Sequence, residues 1–331
     1  MKKVCVYEDP TMFGTHGITS AVANQRKALD SVGVEISEKL KSDSDVIHLN
    51  WPGPISYLQA LKSNKSGKLT ITFAHSGRDV VGGFTLSNIL APMFIKWFKL
   101  FHAVSDVVVA PSNYAKEMIS DIGVEKSKTK VISNGVNAEK VQFSQQKRED
   151  YRKKFDLNKP TVIGVGQVIP RKGLVTFAKV AEMLPQYQFV WFGPRMNKLA
   201  MYDREMNKVI ENPPANVKFT GYVEDIQGAY SAGDLFFFPS HEENEGIVLL
   251  EAAIRKIPIV ARDLPVYNGW LEDGEHCLLG EKAEEFSELI VKAVEDEKLK
   301  EHLTEKAKYM AEERKLENIG QKYLKLYEEF T

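Results

Sequence analysis

Residues 233–260 read GDLFFFPSHEENEGIVLLEAAIRKIPIV. The apolar run from Asp234 to Pro239 does not alternate, which predicts a strand buried on both faces. A polar, acidic turn follows, a helix opens at Gly246, and a second apolar strand covers Ile257 to Val260. Strand, turn, helix, strand is the repeating unit of a parallel sheet with helices on its faces. Ligands of such sheets sit beyond the carboxyl ends of the strands, where the turns are. A helix beginning at Gly246 aims its first N–H groups and the positive end of its dipole into that space, which suits a pyrophosphate. Two carboxylates, Glu243 and Glu251, border it. If both stood on one helix, their spacing would separate them by about 12 Å along the axis. That exceeds the roughly 5–9.5 Å of a glycosidase pair. Glu243 is therefore expected in the turn and Glu251 one to two turns into the helix, each with its own task beside a bound anion.

The surrounding sequence repeats the same logic. VCVY, DVIHLN, KLTITFAH, DVVVAPS and KTKVISNG alternate with helical patterns in the first half, and TVIGVGQV, YQFVWFGP, NVKFTGY, KIPIVAR and HCLLGE do so in the second. Between them, about 138 to 160, the chain turns polar and charged. This predicts an α/β protein of two doubly wound, Rossmann-like domains, 1–150 and 151–312, facing one another across a cleft. A last helical stretch, 313–331, carries Ile319, Tyr323, Leu324 and Tyr327 on one face.

The 331 residues are enough for two cores, and 43% hydrophobic with 27% charged residues is ordinary for a globular protein. Cys5 and Cys277 have no metal or disulfide spacing, so a reducing cytoplasm is expected. The first strand begins almost at once, at KKVCVYE, and no signal peptide is expected before it. A net charge of −1 argues against nucleic acid as a partner. The charge is uneven, however: residues 1–150 carry net +4 and the remainder −5. Residues 51–105 hold six basic side chains, Lys62, Lys65, Lys68, Arg78, Lys96 and Lys99, against one acid, Asp79.

Two glycine-containing loops follow strands and open helices. GTHGITSAV includes Gly17, and GVGQVIPRKGL includes Gln167, Arg171 and Lys172 but lacks the third glycine of a dinucleotide fingerprint. AHSGRD places His75 at a strand's carboxyl end, where catalytic groups gather; His48, inside DVIHLN, reads as structural. Asp43 and Asp45 form a D-x-D without an acidic partner cluster and read as a solvated loop, so no metal and no cofactor is expected.

FTLSNILAPMFIKWFKLFHAV, 84–104, is the most apolar run. It is not expected to span a bilayer, because Lys96 and Lys99 would each cost about 2.5–3.5 kcal/mol at mid-membrane and Pro92 interrupts it. On a helix starting after Pro92, Phe94, Phe98 and Phe101 make a core stripe. Lys96 and Lys99 lie opposite, and Met93, Trp97 and Leu100 form an apolar shoulder. Lysines beside an exposed tryptophan suit an anionic bilayer surface.

ENEGIVLLE resembles the E-x7-E motif of the retaining glycosyltransferases of family 4, which have the GT-B fold. The resemblance spans nearly the whole chain and is strongest from 217 to 263. It implies that Glu243 contacts the donor hexose, that the Ile247 and Val248 amides after Gly246 hold the pyrophosphate, and that Glu251 holds the ribose. It further implies Gly17 and Lys172 near the donor phosphates, His75 beside the reacting sugar, and the backbone around Val223, in GYVEDI, facing a uracil-type base. VISNGVN resembles the family's IPNGVD turn. Where the family carries an arginine on the diphosphate this chain has Gln167. The exchange removes a charge-assisted contact of roughly 1.5–3 kcal/mol, and Arg171 is the nearby replacement. The final helix is expected to cross back to the first domain.

The segments SNILAPMFIKWFKLFHAVSDVVVAPSNYAK and HGITSAVANQRKAL also resemble bacterial diacylglycerol glucosyltransferases that add a second glucose. The expectation is a metal-independent hexosyltransferase, using UDP-glucose and a lipid acceptor such as glucosyl-diacylglycerol, bound peripherally to an anionic membrane's inner face in the cytoplasm. A family 4 transferase acting on a soluble glycan, or a nucleotide-sugar-binding protein without turnover, are the alternatives.

Overall fold

The computed structural model describes residues 2–10, 16–75, 87–195 and 203–330, with backbone alone at 16 and 87–91. The chain divides into two compact units, Met1–Gly135 with Arg314–Thr331, and Val136–Glu313.

The first unit runs β1 (Lys3–Tyr7), α1 (His16–Ser31), β2 (Glu35–Ser37), β3 (Val46–Leu49), α2 (Pro54–Lys65), β4 (Leu69–Phe73), α3 (Ser87–Ala103), β5 (Val107–Ala110), α4 (Asn113–Asp121) and β6 (Thr129–Val131). Its strands pair in parallel in the order β2-β1-β3-β4-β5-β6. Successive side chains of a strand take opposite faces, and both faces are covered, so the inner strands are buried and largely apolar. Val4, Val6, Val107 and Val109 enter one core cluster; Cys5 and Val108 enter the clusters of the other face.

The second unit runs α5 (Gln145–Lys154), β7 (Thr161–Val165), α6 (Leu174–Met183), β8 (Gln188–Phe192), α7 (Arg204–Glu211), β9 (Val217–Phe219), α8 (Ile226–Ala232), β10 (Leu235–Phe238), α9 (Ile247–Ile254), β11 (Ile259–Arg262), β12 (Leu278–Gly280), α10 (Ala283–Glu295) and α11 (Glu297–Glu312). Its parallel order is β12-β11-β10-β7-β8-β9, so chain order reverses between β7 and β10. The three phenylalanines of β10 show why its sequence need not alternate. Phe236 and Phe238 stack together on one face, while Phe237 meets Phe177 and Phe286 on the other.

The units divide after Gly135 rather than near 150. The polar stretch that suggested a linker instead folds into α5, which packs on α8. Arg148 donates to Asp234 Oδ1 at 2.6 Å and Arg152 to Asp234 Oδ2 at 3.3 Å, clamping the start of β10. α12 (Leu316–Glu328) packs on α1 in the first unit, with Ile319, Tyr323 and Tyr327 buried in that unit's core. The approach is close: a Cβ at Gly320 would lie 2.1 Å from the Ala28 carbonyl oxygen, so only glycine fits. α3 also differs from expectation. It begins at Ser87 and carries Pro92 inside it, because the ring removes only one hydrogen bond from the helix's early turns.

Candidate active site

In the second unit the carboxyl ends of β7 and β10 lie side by side at the reversal of strand order, the place where doubly wound sheets bind ligands. The chain leaving β7 forms a 3-10 turn at Pro170–Lys172, and the chain leaving β10 supplies Ser240 to Gly246. The two are stitched together: the His241 N–H donates to the Arg171 carbonyl at 2.7 Å, and Arg171 Nη1 donates to the Glu242 carbonyl at 3.1 Å.

Inside this seam Lys172 Nζ donates to Glu243 Oε1 at 2.5 Å, and the Ser240 hydroxyl donates to the same oxygen at 2.6 Å. Both charged side chains are largely out of water, at 12% and 8% exposure. Burial pushes the Glu243 carboxyl up, but the charges of Lys172 and Arg171 and the two hydrogen bonds outweigh it and hold the pKa below the usual range. Burial likewise lowers Lys172, against the opposing pull of Glu243. The ammonium also sits 4.8 Å from the centre of the Phe238 ring, a cation–π contact.

Gly246 is the N-cap of α9, with φ +90°, a left-handed conformation that disfavours any side chain. It starts the helix so that the Ile247 and Val248 amides are the first donors of its N-terminus, without partners inside the helix. Tyr267, bordering Gly246, buries a hydroxyl that finds no hydrogen-bond partner among the described residues. Glu251, the fifth residue of α9, accepts from the Tyr230 hydroxyl at 2.7 Å. Its pKa is raised, because burial outweighs the Tyr230 hydrogen bond and the Lys140 charge. The two motif glutamates are thus tuned in opposite directions.

Gln167 lies where the loops after β7 and β8 run together, with the Gly166 and Val168 N–H groups donating to the Phe192 and Pro194 carbonyls at 3.0 and 2.9 Å. Val223 is half-buried in the loop after β9, where the Gly221 carbonyl accepts from the Gly193 N–H at 2.9 Å. The structure therefore brings Lys172, Arg171, Glu243 and Gly246 into one cluster. Ser240 and Tyr230 were not singled out in the sequence. Ser240 stands just past β10, after Pro239, and could have been found there; Tyr230 comes from a neighbouring helix at no fixed spacing.

In the first unit chain order reverses between β1 and β3. His75 stands just past the end of β4, stacked on Phe73 with ring centres 5.8 Å apart, and its Nε2 is 2.7 Å from Asn50 Oδ1. The residue as a whole is half-buried, and burial lowers its pKa to about 4. His48 pairs with the Tyr327 hydroxyl at 2.8 Å within the core. Gly17, the second residue of α1, is exposed, and a Cβ there would meet no atom within 4 Å, so packing does not demand glycine.

Lys96 and Lys99 are exposed. Trp97 is not the free shoulder that the helical pattern suggested. Its indole N–H donates to the Pro52 carbonyl at 2.6 Å and its ring lies 5.4 Å from Tyr57, which ties α3 to α2. The exposed apolar groups there are Leu58 and Leu61 on α2 and Met93 and Leu100 on α3. Asp43 ion-pairs with Lys3 at 2.6 Å, and Asp45 accepts from the Lys3 N–H at 2.8 Å. Among the described residues, no helix is long and apolar enough to cross a membrane.

Comparison with known proteins agrees with this geometry. Residues 24–140 match the family described as Glycosyltransferase Family 4, and residues 145–310 match Glycosyl transferases group 1. The chain is 35% identical to the processive diacylglycerol alpha-glucosyltransferase of Acholeplasma laidlawii, covering 99% of this chain and 98% of that protein. It is 31% identical to the alpha-galactosylglucosyldiacylglycerol synthase of Streptococcus pneumoniae, over 88% of this chain and 79% of that one. The fold matches the crystal structure of Anabaena HepE in complex with UDP and glucose, with a TM-score of 0.79 at 18% identity, over 99% of this chain and all of that one. The chain belongs to glycosyltransferase family 4, as a retaining hexosyltransferase of the GT-B fold.

Proposed function

We propose that this enzyme transfers glucose from UDP-glucose to a glucosyl-diacylglycerol-type lipid at an anionic membrane surface. The observation that carries the reading is full-length similarity to a diacylglycerol glucosyltransferase, joined to a buried Lys172–Glu243–Ser240 cluster at the second unit's switch point.

In this reading the Ile247 and Val248 amides and the α9 dipole receive the diphosphate. Lys172 spends one of its three donors on Glu243, leaving others for a phosphate oxygen, and Arg171 adds charge beside it. Gln167 takes the place of a cation in this grip, Gly17 leaves room for backbone to approach the phosphates, and the backbone at Val223 faces the base. Glu251 takes a ribose hydroxyl. Glu243, held ionised, is an acceptor for a donor-sugar hydroxyl, and His75 serves the reacting sugar. The bond from the anomeric carbon to the diphosphate oxygen breaks, the acceptor hydroxyl oxygen bonds to that carbon on the same face, and its proton passes to the leaving phosphate. Charge stabilisation of the departing diphosphate by fixed amides and cations lowers the barrier without a metal.

For the membrane, α2 and α3 lie side by side, with Leu58, Leu61, Met93 and Leu100 exposed among Lys62, Lys65, Lys96 and Lys99. Each lysine near an anionic surface contributes about 1 kcal/mol, screened by salt. Radiolabelled UDP-glucose and vesicles of glucosyl-diacylglycerol with an anionic lipid test the proposal. Label should enter the lipid with the α configuration retained, and flotation should weaken with salt and with Lys96→Glu plus Lys99→Glu. Label recovered only as free glucose or on soluble glycans, or equal partitioning to neutral vesicles, overturns it.

A further inference from the structure

We propose that Asn50 and Gln25 are positioning residues for His75, their amides forming a directed chain that fixes the imidazole as its Nε2–H tautomer. This rests on the reading of His75 as the residue beside the reacting sugar.

The chain crosses three elements of the first unit. Asn50, directly after β3, places Oδ1 2.7 Å from His75 Nε2; Asn50 Nδ2 donates to Gln25 Oε1 at 3.0 Å; and Gln25 Nε2 reaches the Tyr323 hydroxyl at 3.5 Å. Asn50 and Gln25 are 3% and 4% exposed, so neither amide can turn over toward water. An amide gives only through nitrogen and accepts only through oxygen. Because Asn50 already gives its N–H to Gln25, the face it shows to His75 is an acceptor. The hydrogen must then sit on Nε2, and Nδ1 becomes the ring's acceptor atom. Reversing one amide alone would set like groups against each other in a buried network, which is costly; an Nδ1–H tautomer would require both to turn together, with Tyr323 donating.

A purely structural tie between β3, α1 and α12 would not call for a chain ending on a half-buried histidine at a strand's carboxyl end. Apolar side chains would join those elements without buried amides. The titratable groups around His75 are His102 of α3, Tyr323 of α12 and His48 of β3, which shares contact with Phe73. Burial holds His48 and His102 near 3, so neither brings charge to the ring at neutral pH. Arg78 and Asp79, close in sequence, lie outside the described residues.

Long-range nitrogen–proton NMR on the full chain, with His75→Gln to assign the ring signals, reads the tautomer without activity. Nε2 should be protonated in the wild-type protein, and Asn50→Ala should give a mixture. In kinetics, Asn50→Ala should lower kcat about tenfold or more with donor KM little changed. Asn50→Asp keeps an acceptor but adds a charge that favours imidazolium. It should restore kcat at pH 8 while moving the acid limb of the pH profile upward by about a unit. Gln25→Leu should show a smaller loss. A wild-type Nδ1–H tautomer, or an Asn50→Asp variant that neither restores kcat nor shifts the profile, overturns the proposal. Wild-type kinetics in His75→Ala, with the tautomer as stated, would instead remove the reading of His75 itself.

Discussion

At the carboxyl ends of β7 and β10 the second unit holds a buried ion pair, Lys172 with Glu243, locked by Ser240; at the ends of β3 and β4 the first unit holds a neutral chain, His75, Asn50 and Gln25. The first position lies where strand order reverses in its sheet; the second lies beside such a point, because order in the first unit reverses between β1 and β3. The difference follows from their work in the proposed reaction. A site that receives a diphosphate needs positive charge, and a lysine can be kept buried only with a counter-ion. A site that orients a sugar hydroxyl needs a fixed acceptor, and a neutral imidazole supplies one without attracting the diphosphate.

The comparison can be broken most forcefully with acid. His48 and His102 are buried and their pKa values are held near 3, against roughly 6.5 in an unfolded chain. Below pH 6.5 the unfolded state binds protons that the native state refuses, so stability falls as pH drops toward the folded values. By pH 4.5 the two residues together should cost the first unit about 5 kcal/mol. Glu243, with a lowered pKa, stabilises the second unit above the ordinary carboxyl range and loses that effect only as pH falls through its folded value. Hydrogen exchange at stepwise lower pH should therefore show β3 and β4 losing protection before β7 and β10. Simultaneous loss would end the contrast.

Glu243→Ala should come next in size. It leaves Lys172 buried and unpaired, which costs about 3–5 kcal/mol of stability, and it should lower kcat roughly a hundredfold. Adding Lys172→Met should recover stability in urea denaturation without recovering activity. A single variant as stable as wild type would show that the pair is not shut off from water.

Glu251→Ala should act mainly on donor binding, raising KM about ten- to a hundredfold. Because burial raises the Glu251 pKa, its charge at pH 7 costs stability, so Glu251→Gln should be more stable than wild type while Glu243→Gln is less stable. Thermal melts of the two glutamine variants at pH 7 read the opposite signs directly. The smallest effect should be Gly17→Ala, which gains up to about 1 kcal/mol of helix stability yet weakens donor binding. Unchanged donor KM would mean that the glycine serves neither packing nor ligand.

The fold was legible because the central strands are largely apolar runs bounded by turn residues, and because 233–260 spells one complete unit of a parallel sheet. Glu243, Gly246 and Glu251 were legible because chain spacing fixes them relative to a single strand and helix. What could not be read was who holds them. Tyr230 reaches Glu251 and Ser240 reaches Glu243 through tertiary packing. The amide chain on His75 joins residues far apart in sequence. The tryptophan shoulder failed for the same reason: helical periodicity assigned Trp97 a face but could not see that Pro52 and Tyr57 occupy it. The boundary near 150 failed because a polar composition describes an exposed helix as well as a linker, and the arginines of α5 clamp Asp234.

The packing of α12 onto α1 also bears on how the molecule is made. Residues 136–313 form one continuous unit, able to gather its core as soon as its own sequence has left the ribosome. The first unit is discontinuous, and Leu316, Ile319, Tyr323 and Tyr327 complete its core. Although synthesised first, it must wait for residues translated after the whole second unit, with its apolar face open in the meantime. Pulse proteolysis of released chains 1–313 and 1–331 should find the second unit protected in both and the first only in the longer. Equal protection of the first unit at both lengths would show that it folds without α12.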